Sequence, residues 1–224
     1  MIFNKHLELG ESHAIFAPSS SSWLRYDISD MVERIHSMYR KTLGTDIHEF
    51  AASQIILCQP LTSIKSVKEN LQTFIFGKYF DKESSTMPQS GKTILNELGY
   101  LPKEVFATVK DYVCDAIKFK MTPEQRVVYH NLYFHGKADA ISFWNDILRI
   151  HDLKTGSIPA HMEQLKTYAA LFCLEYNVIP DKIKTNIRIY QNGEIVECEP
   201  PADDILSIMN IIRARTKELE KIFY

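Results

Sequence analysis

The stretch ADAISFWNDILRIHDLKTG, residues 138–156, decides the fold of this chain. Two segments rich in β-branched and aromatic residues lie on either side of the turn-like pair Asn145 and Asp146, and each is typical of a β-strand. Because side chains alternate along a strand, Asp152 and Lys154 share one face, where they end an otherwise apolar row. An acid and a lysine at the end of a buried strand indicate a polar site there.

A tight loop sets the register of the predicted hairpin. If the two residues between the strands form the whole loop, Trp144 pairs with Ile147 and Asp139 falls directly opposite Asp152. Directly opposed side chains have Cβ atoms roughly 4.5–5.5 Å apart, and two carboxylates at that spacing repel each other. A divalent cation between them would remove the repulsion, and the backbone carbonyl of Leu153 offers such an ion a further oxygen.

The lysine adds a second element to this predicted site. Lys154 would lie beside the metal ion, where its ammonium could hold an anionic oxygen or orient a water molecule. A metal ion and a lysine together suit the hydrolysis of a phosphodiester. For Asp152 and Lys154 alone, a structural salt bridge at the strand end is an equal alternative, and Asp139 at the matched register favours the metal site.

The remaining segments predict a mixed α/β or α+β chain, with a central mixed β-sheet flanked by helices. We expect one domain over residues 1–224, mainly helical over 1–122 and β-rich with a terminal helix over 123–224. Helices are predicted at 28–42 with Asp27 as N-cap, 45–58 after a break at Gly44, 63–80, 102–120, 159–175 and 202–222. Strands are predicted at 127–134, 138–144 and 147–153, and in a hairpin around Asn192-Gly193, while 81–91 is predicted to be an exposed loop.

Composition and charge limit the classes of protein that fit. The chain is 45% apolar with a formal net charge of −2, which predicts a globular protein without a global excess of positive charge. Neither a membrane-spanning run nor a signal peptide is expected, so we predict a soluble, intracellular protein. The four cysteines are scattered without a CxxC pair, which argues against zinc or a disulfide framework and predicts buried free thiols.

Four motifs occur in one order along the chain: GTDIHEF (44–50), GKADA (136–140), HDLKTG (151–156) and QLKTYAALF (164–172). In this order and spacing they resemble the PD-(D/E)XK nuclease superfamily, in particular its RecB-like and phage-type exonuclease branch. The resemblance implies a restriction-endonuclease-like core with an N-terminal helical lobe. It also implies a divalent-metal-dependent DNA exonuclease that acts in phage or bacterial DNA recombination, repair or processing.

The resemblance also implies a role for each matched residue. Asp139 and Asp152 would be carboxylate ligands of Mg²⁺ or Mn²⁺, and Leu153 would bind the ion through its carbonyl oxygen. His48 would be an added ligand from the helical lobe, which favours manganese. Lys154 would be the catalytic lysine.

Three other residues are predicted to lie near this site. Gln164 and Tyr168 are four residues apart and share a helix face, and the resemblance directs that face to the substrate or a catalytic water. Pro159 suits the first turn of their helix. The alternative is that Tyr168 belongs to the core and Gln164 bonds a polar neighbour. Glu124, just before the first strand, is predicted to contact the site indirectly, with a surface acid as the alternative.

The segment HAIFAPSSSSWLRYD (13–27) resembles the start of the same branch. Some relatives carry an iron–sulfur cluster with one cysteine shortly after this tryptophan, where this chain has Arg25. Since Cys173 and Cys198 are also far apart, we expect no iron–sulfur cluster. Ser21 and Arg25 are candidates to bind a terminal phosphate of the substrate, with a helix cap and a salt bridge as the alternative.

The resemblance leaves other functions open. An endonuclease would use the same site, and a catalytically idle nuclease-like module would bind DNA without cleaving it. The branch also suggests a ring-shaped homo-oligomer around DNA, a single-strand-annealing or recombination partner, and the cytoplasm of a bacterial host if the protein is phage-encoded. Because the isoelectric point is near 6.4, DNA would follow a local basic groove. The candidates for that groove are Lys65, Lys68, Lys78, Lys110, Lys118, Lys120 and Arg126.

Overall fold

A computed structural model describes residues 14–156, 158–159 and 161–223. Residues 1–10, from which the absence of a signal peptide was predicted, lie outside the described residues. The helices are α1 (Ile28–Ile56), α2 (Ile64–Tyr79), α3 (Gln89–Tyr100), α4 (Lys103–Lys118), α5 (Glu163–Glu175) and α6 (Ala202–Phe223), with 3-10 helices at Pro18–Arg25 and Pro180–Lys182. The strands are β1 (Thr122–His130), β2 (Phe134–Trp144), β3 (Ile147–Lys154), β4 (Lys184–Gln191) and β5 (Glu194–Cys198).

The strands form one mixed sheet in chain order, β1-β2-β3-β4-β5, which confirms the predicted mixed α/β class. Neighbouring strands are antiparallel except β3 and β4, which run parallel and are connected through α5. One apolar core lies between helices α1–α4 and the sheet face that carries Leu153 and Tyr190. A second core joins the opposite face, with Leu148 and Ile150, to α5 and α6. The sheet is therefore covered by helices on both faces.

The register of the β2–β3 hairpin is confirmed. Trp144 pairs with Ile147, and the loop consists of Asn145 and Asp146 alone, with φ of 50° and 56°. Two consecutive residues with positive φ are typical of a type I′ turn, whose twist matches that of the strands it joins. The predicted hairpin around Asn192-Gly193 is also present, as β4 and β5.

The predicted break at Gly44 is wrong, because α1 is one continuous helix. Leu43 and Ile47 on either side of Gly44 are both buried in the same core, and this packing outweighs the roughly 1 kcal/mol that an interior glycine costs a helix. A Cβ at position 44 would lie 3.2 Å from Oγ1 of Thr155. The glycine therefore allows α1 to approach the end of β3 closely, while Asp27 caps the helix as predicted.

Other predicted boundaries also differ from the structure. The segment 127–134 is not one strand, because the His130 ring accepts hydrogen bonds from two backbone N–H groups at 3.3 Å and closes a turn before β2. Helix α3 was not predicted, and its first residues lie inside the expected loop 81–91. Pro159 lies outside α5, which begins at Glu163.

Two further observations concern composition. Of the four cysteines predicted to be buried thiols, all are free but only Cys173 is buried, whereas Cys58 is exposed. Among the helices in the described ranges, none combines the length and the apolar character needed to span a membrane.

Candidate metal centre

The centre begins where the β2–β3 ladder ends. Ala140 and His151 form the last backbone pair of that ladder. One residue further along, the side chain of Asp139 accepts the N–H of Leu153 at 2.9 Å through Oδ2. The Leu153 N–H is thus bonded to a side chain instead of a backbone carbonyl of β2. This hydrogen bond holds the Asp139 carboxylate at the open end of the hairpin.

Three side chains from different elements converge at this point. One ligand atom each of His48 on α1, Glu124 on β1 and Asp139 on β2 lies within 4.8 Å of the others. Nδ1 of His48 lies 3.5 Å from Oδ2 of Asp139. All three residues are half-buried, and they line a cavity of about 370 Å³ together with Lys137. The helical half and the sheet therefore both contribute to the cluster.

Glu124 reaches the cluster through an irregularity in β1. The residues before and after it pair with Ala140 and Ala138, so Glu124 lies opposite Asp139. Its own φ is 54°, a left-handed conformation that costs a residue other than glycine roughly 1–2 kcal/mol. The side chain forms an ion pair with Lys137. The sequence had assigned Glu124 only an indirect contact, because the predicted strand began at residue 127, five residues after the observed start of β1 at Thr122.

Asp152 and Lys154 lie beside the cluster. Nζ of Lys154 is 3.0 Å from both carboxylate oxygens of Asp152, although only Oδ1 has the geometry of a hydrogen bond. The second oxygen, Oδ2, is buried without a hydrogen bond from any residue that the structure describes. Burial, followed by the charge of Asp139, raises the pKa of Asp152 to about 6, while Lys154 opposes this rise.

The electrostatics of His48 also reflect the surrounding carboxylates. Burial disfavours the charged imidazolium, but the hydrogen bond to Asp139 and the charges of Asp139, Glu124 and Asp152 outweigh it and raise the pKa of His48. The carboxylates around His48 therefore favour positive charge at this cluster. A divalent cation that binds His48 would compete with a proton for the same ring nitrogen.

The donor set fits a hard divalent ion. Carboxylate oxygens are the usual protein ligands of Mg²⁺, and imidazole shifts the preference toward Mn²⁺. Ligands on opposite sides of Mg²⁺ are about 4.2 Å apart, so donor atoms already within 4.8 Å need to move only slightly to share one ion. The structure places Leu153 next to this point through its N–H, and binding through its carbonyl stays a prediction.

The two predicted residues of α5 lie differently. Oε1 of Gln164 is 3.5 Å from Nζ of Lys154, which brings Gln164 to the edge of the site. The hydroxyl of Tyr168 donates to the Lys137 carbonyl at 2.8 Å. A Cβ at Gly136 would lie only 2.6 Å from the Tyr168 ring, so the glycine makes room for this contact. Tyr168 therefore holds α5 against β2, just before Asp139.

Ser21 and Arg25 are not brought to the cluster. Both are exposed in the 3-10 helix that precedes α1. Because α1 continues without a break from Ile28 past His48, about 30 Å of helix separates its start from the metal centre at 1.5 Å per residue. A phosphate held by Arg25 would therefore lie far from the carboxylates.

The raised pKa of Asp152 predicts a pH-dependent effect of Asp152→Asn on stability. Below the unfolded pKa of 3.8 the carboxyl is neutral in both states, whereas above about 6 the folded state must hold it ionised against its preference. With EDTA present, we expect Asp152→Asn to increase the free energy of unfolding at pH 8 by up to about 3 kcal/mol, and to change it little at pH 4. Urea unfolding at the two pH values measures the difference. The exposed control Asp181→Asn should show none, and an equal effect of Asp152→Asn at both pH values would contradict the prediction.

Comparisons of the chain with protein-family models, with curated proteins and with solved structures find no match.

Proposed function

We propose that this protein is a divalent-metal-dependent deoxyribonuclease of the PD-(D/E)XK type that degrades DNA from its ends. The observation that carries the proposal is the convergence of His48, Glu124 and Asp139 next to the buried pair Asp152 and Lys154. Three possible metal ligands that converge beside a lysine suit the hydrolysis of a phosphodiester. The order of the four sequence motifs supports the assignment to this type of nuclease.

Each residue of the centre has a part in the proposed reaction. When bound, Mg²⁺ or Mn²⁺ supplies positive charge to a phosphoryl oxygen and acidifies a water molecule. Asp139 and Glu124 would hold the cation, together with His48 in its neutral form. Lys154 places its ammonium where negative charge increases in the pentacoordinate transition state. Asp152 keeps that ammonium in position through the contact at 3.0 Å.

The wider biological setting belongs to the same proposal. The resemblance to the RecB-like and phage-type branch supports an exonuclease over an endonuclease with the same chemistry. The intact set of Asp139, Asp152 and Lys154 argues against a module that only binds DNA. A ring-shaped homo-oligomer, a recombination partner and action in the bacterial cytoplasm follow from the same resemblance.

A comparison of two DNA substrates tests the proposal. Linear duplex DNA and a covalently closed circle are incubated with Mg²⁺, with Mn²⁺ and with EDTA. We expect both metals to support loss of the linear form, with Mn²⁺ at least as effective because of His48, and EDTA to stop it. Cleavage of the circle would instead show an endonuclease. Binding of DNA without cleavage under any of these conditions would leave only the idle module.

A further inference from the structure

A second group of residues, away from the carboxylates, surrounds two aromatic rings. Arg149 and Arg188 lie 4.8 Å and 5.1 Å from the centre of the Phe119 ring, and Nζ of Lys118 lies 5.3 Å from it. Nζ of Lys120 lies 5.9 Å from the ring of Trp144. We call this group the cation–aromatic patch, and its members are Lys118, Phe119, Lys120, Trp144, Arg149 and Arg188.

The patch has a surplus of positive charge. Arg188 is paired with Asp115 at 2.8 Å and with Glu197 at 3.2 Å. Across the described ranges, no carboxylate forms an ion pair with the other three cations, Lys118, Lys120 and Arg149. The basic candidates Lys65, Lys78 and Lys110 of the helical half are all paired with nearby acids. Among the lysines predicted to line a basic groove, Lys68, Lys118 and Lys120 form no ion pair with a described residue, and of these Lys118 and Lys120 lie in the patch, whereas Lys68 lies over the ring of Phe106.

Trp144 has an exposed indole ring close to Lys120. Its side chain is 68% exposed, whereas the neighbouring Phe143 packs against Phe172 with ring centres 5.2 Å apart. Trp144 is also held in place, because it is the last strand residue before the tight turn of the β2–β3 hairpin. The exposed ring of Trp144 offers a face on which a planar ring can stack, and cations without a carboxylate partner lie next to it.

Lys120 occupies a position that favours glycine. At the end of α4, Met121 N–H donates to the Ala116 carbonyl at 2.9 Å and Lys120 N–H donates to the Ile117 carbonyl at 3.0 Å. This is a Schellman motif, in which the residue at Lys120 must be left-handed, and its φ is 51°. A lysine is strained there where glycine would not be.

We propose that the cation–aromatic patch binds single-stranded nucleic acid, with one base stacked on Trp144 and phosphates at Lys118, Lys120 and Arg149. A duplex keeps its base faces stacked on one another, so only an unpaired strand can offer a face to the tryptophan. For the proposed nuclease, the patch would hold an unpaired strand of the DNA substrate, and this step rests on that proposed function. Binding itself does not require cleavage.

The chain connects the patch to the metal centre. Lys120 precedes β1 and Glu124 lies within it, so the two residues are at most about 13 Å apart along the strand at 3.3 Å per residue. A strand held at the patch can therefore extend to the carboxylates.

The first test measures binding in EDTA, where no metal-dependent cleavage occurs. Fluorescence anisotropy compares a labelled oligothymidine with a duplex of the same length, on the wild-type chain and on Trp144→Ala. We expect Trp144→Ala to weaken binding of the single strand by at least about fivefold and to leave binding of the duplex unchanged. Tyr100→Ala, which removes an aromatic side chain that is 81% exposed on α3, is the matched control.

The second test uses Lys120→Gly. Glycine relieves the left-handed strain, so this variant should unfold at a higher temperature than the wild type while it binds the single strand more weakly. Loss of one phosphate contact should reduce the slope of log affinity against log salt by about 0.7. A higher unfolding temperature excludes misfolding as the cause of weaker binding.

The outcomes separate the patch from the nuclease. If Trp144→Ala binds oligothymidine as tightly as the wild type, or loses affinity for the duplex equally, the patch proposal is overturned, even if linear DNA is cleaved. If neither substrate is cleaved but Trp144→Ala and Lys120→Gly both weaken single-strand binding, the patch is supported and the nuclease proposal fails. Unchanged affinity and salt slope in Lys120→Gly would also overturn the patch.

Discussion

Replacement of Lys154 by alanine is expected to lower the rate of metal-dependent DNA cleavage by at least about a hundredfold. The ammonium is the cation placed nearest to Asp152, and removal of one preorganised electrostatic contact to a transition state typically costs a factor of 10²–10³. The side chain is about one-third exposed, so its loss leaves no cavity in the core, although Asp152 loses the cation that favours its charged form. Single-turnover cleavage of linear duplex DNA at saturating Mn²⁺ measures the effect.

Two comparisons make this result specific. Lys166→Ala removes another lysine that is paired with an aspartate, Asp204 on α6, and should cleave at the wild-type rate. Loss of Lys154 also removes a charge that lowers the pKa of Asp152, so the pH at which residual activity rises should shift upward. A Lys154→Ala variant with wild-type activity would remove the lysine from the proposed chemistry.

Asp139→Asn is expected to reduce cleavage by at least about a thousandfold and to abolish stabilisation by metal. Asp139 is the residue shared by the contacts to His48 and Leu153, and an amide is a much weaker ligand for a hard cation than a carboxylate. For the wild type, a metal concentration one hundred times its Kd adds about 2.7 kcal/mol to the free energy of unfolding. Unfolding temperatures with Mn²⁺ and with EDTA, measured beside cleavage rates, test both parts.

The same variant should fold normally without metal. The amide oxygen of asparagine can still accept the Leu153 N–H, and the change removes one of the negative charges that crowd the centre. The pKa of His48 should fall, because Asp139 supplies the main contributions that raise it against burial. Asp181→Asn, at an exposed position, is the control. If Mn²⁺ still raised the unfolding temperature of Asp139→Asn by the wild-type amount, the ion would be bound elsewhere.

The hairpin could be predicted from the sequence because its rules are local. A two-residue loop and the alternation of side chains are sufficient to place Asp139 and Asp152 on neighbouring strands. The same reasoning gave Glu124 only an indirect contact, because the start of β1 was set too late and a positive φ in a non-glycine residue has no clear sequence signal.

Longer-range features were harder to predict. The sequence predicted a helix break at Gly44 because glycine has a low helix propensity. That prediction left out the tertiary packing that keeps α1 continuous. That straight helix in turn places Arg25 far from the centre, which local patterns could not show. His48 was singled out only by the resemblance, since a lone histidine on a helix carries little information about what it contacts.

The position of His48 on α1 has a consequence for folding. About 90 residues separate it from Asp139 in the chain, and the metal site does not exist until α1 has docked onto the sheet. A bound metal ion would then connect α1 to the sheet. Its release would destabilise the packing of α1 before it affected the β2–β3 hairpin. Hydrogen exchange of α1 should therefore report metal occupancy more sensitively than exchange of β2 and β3.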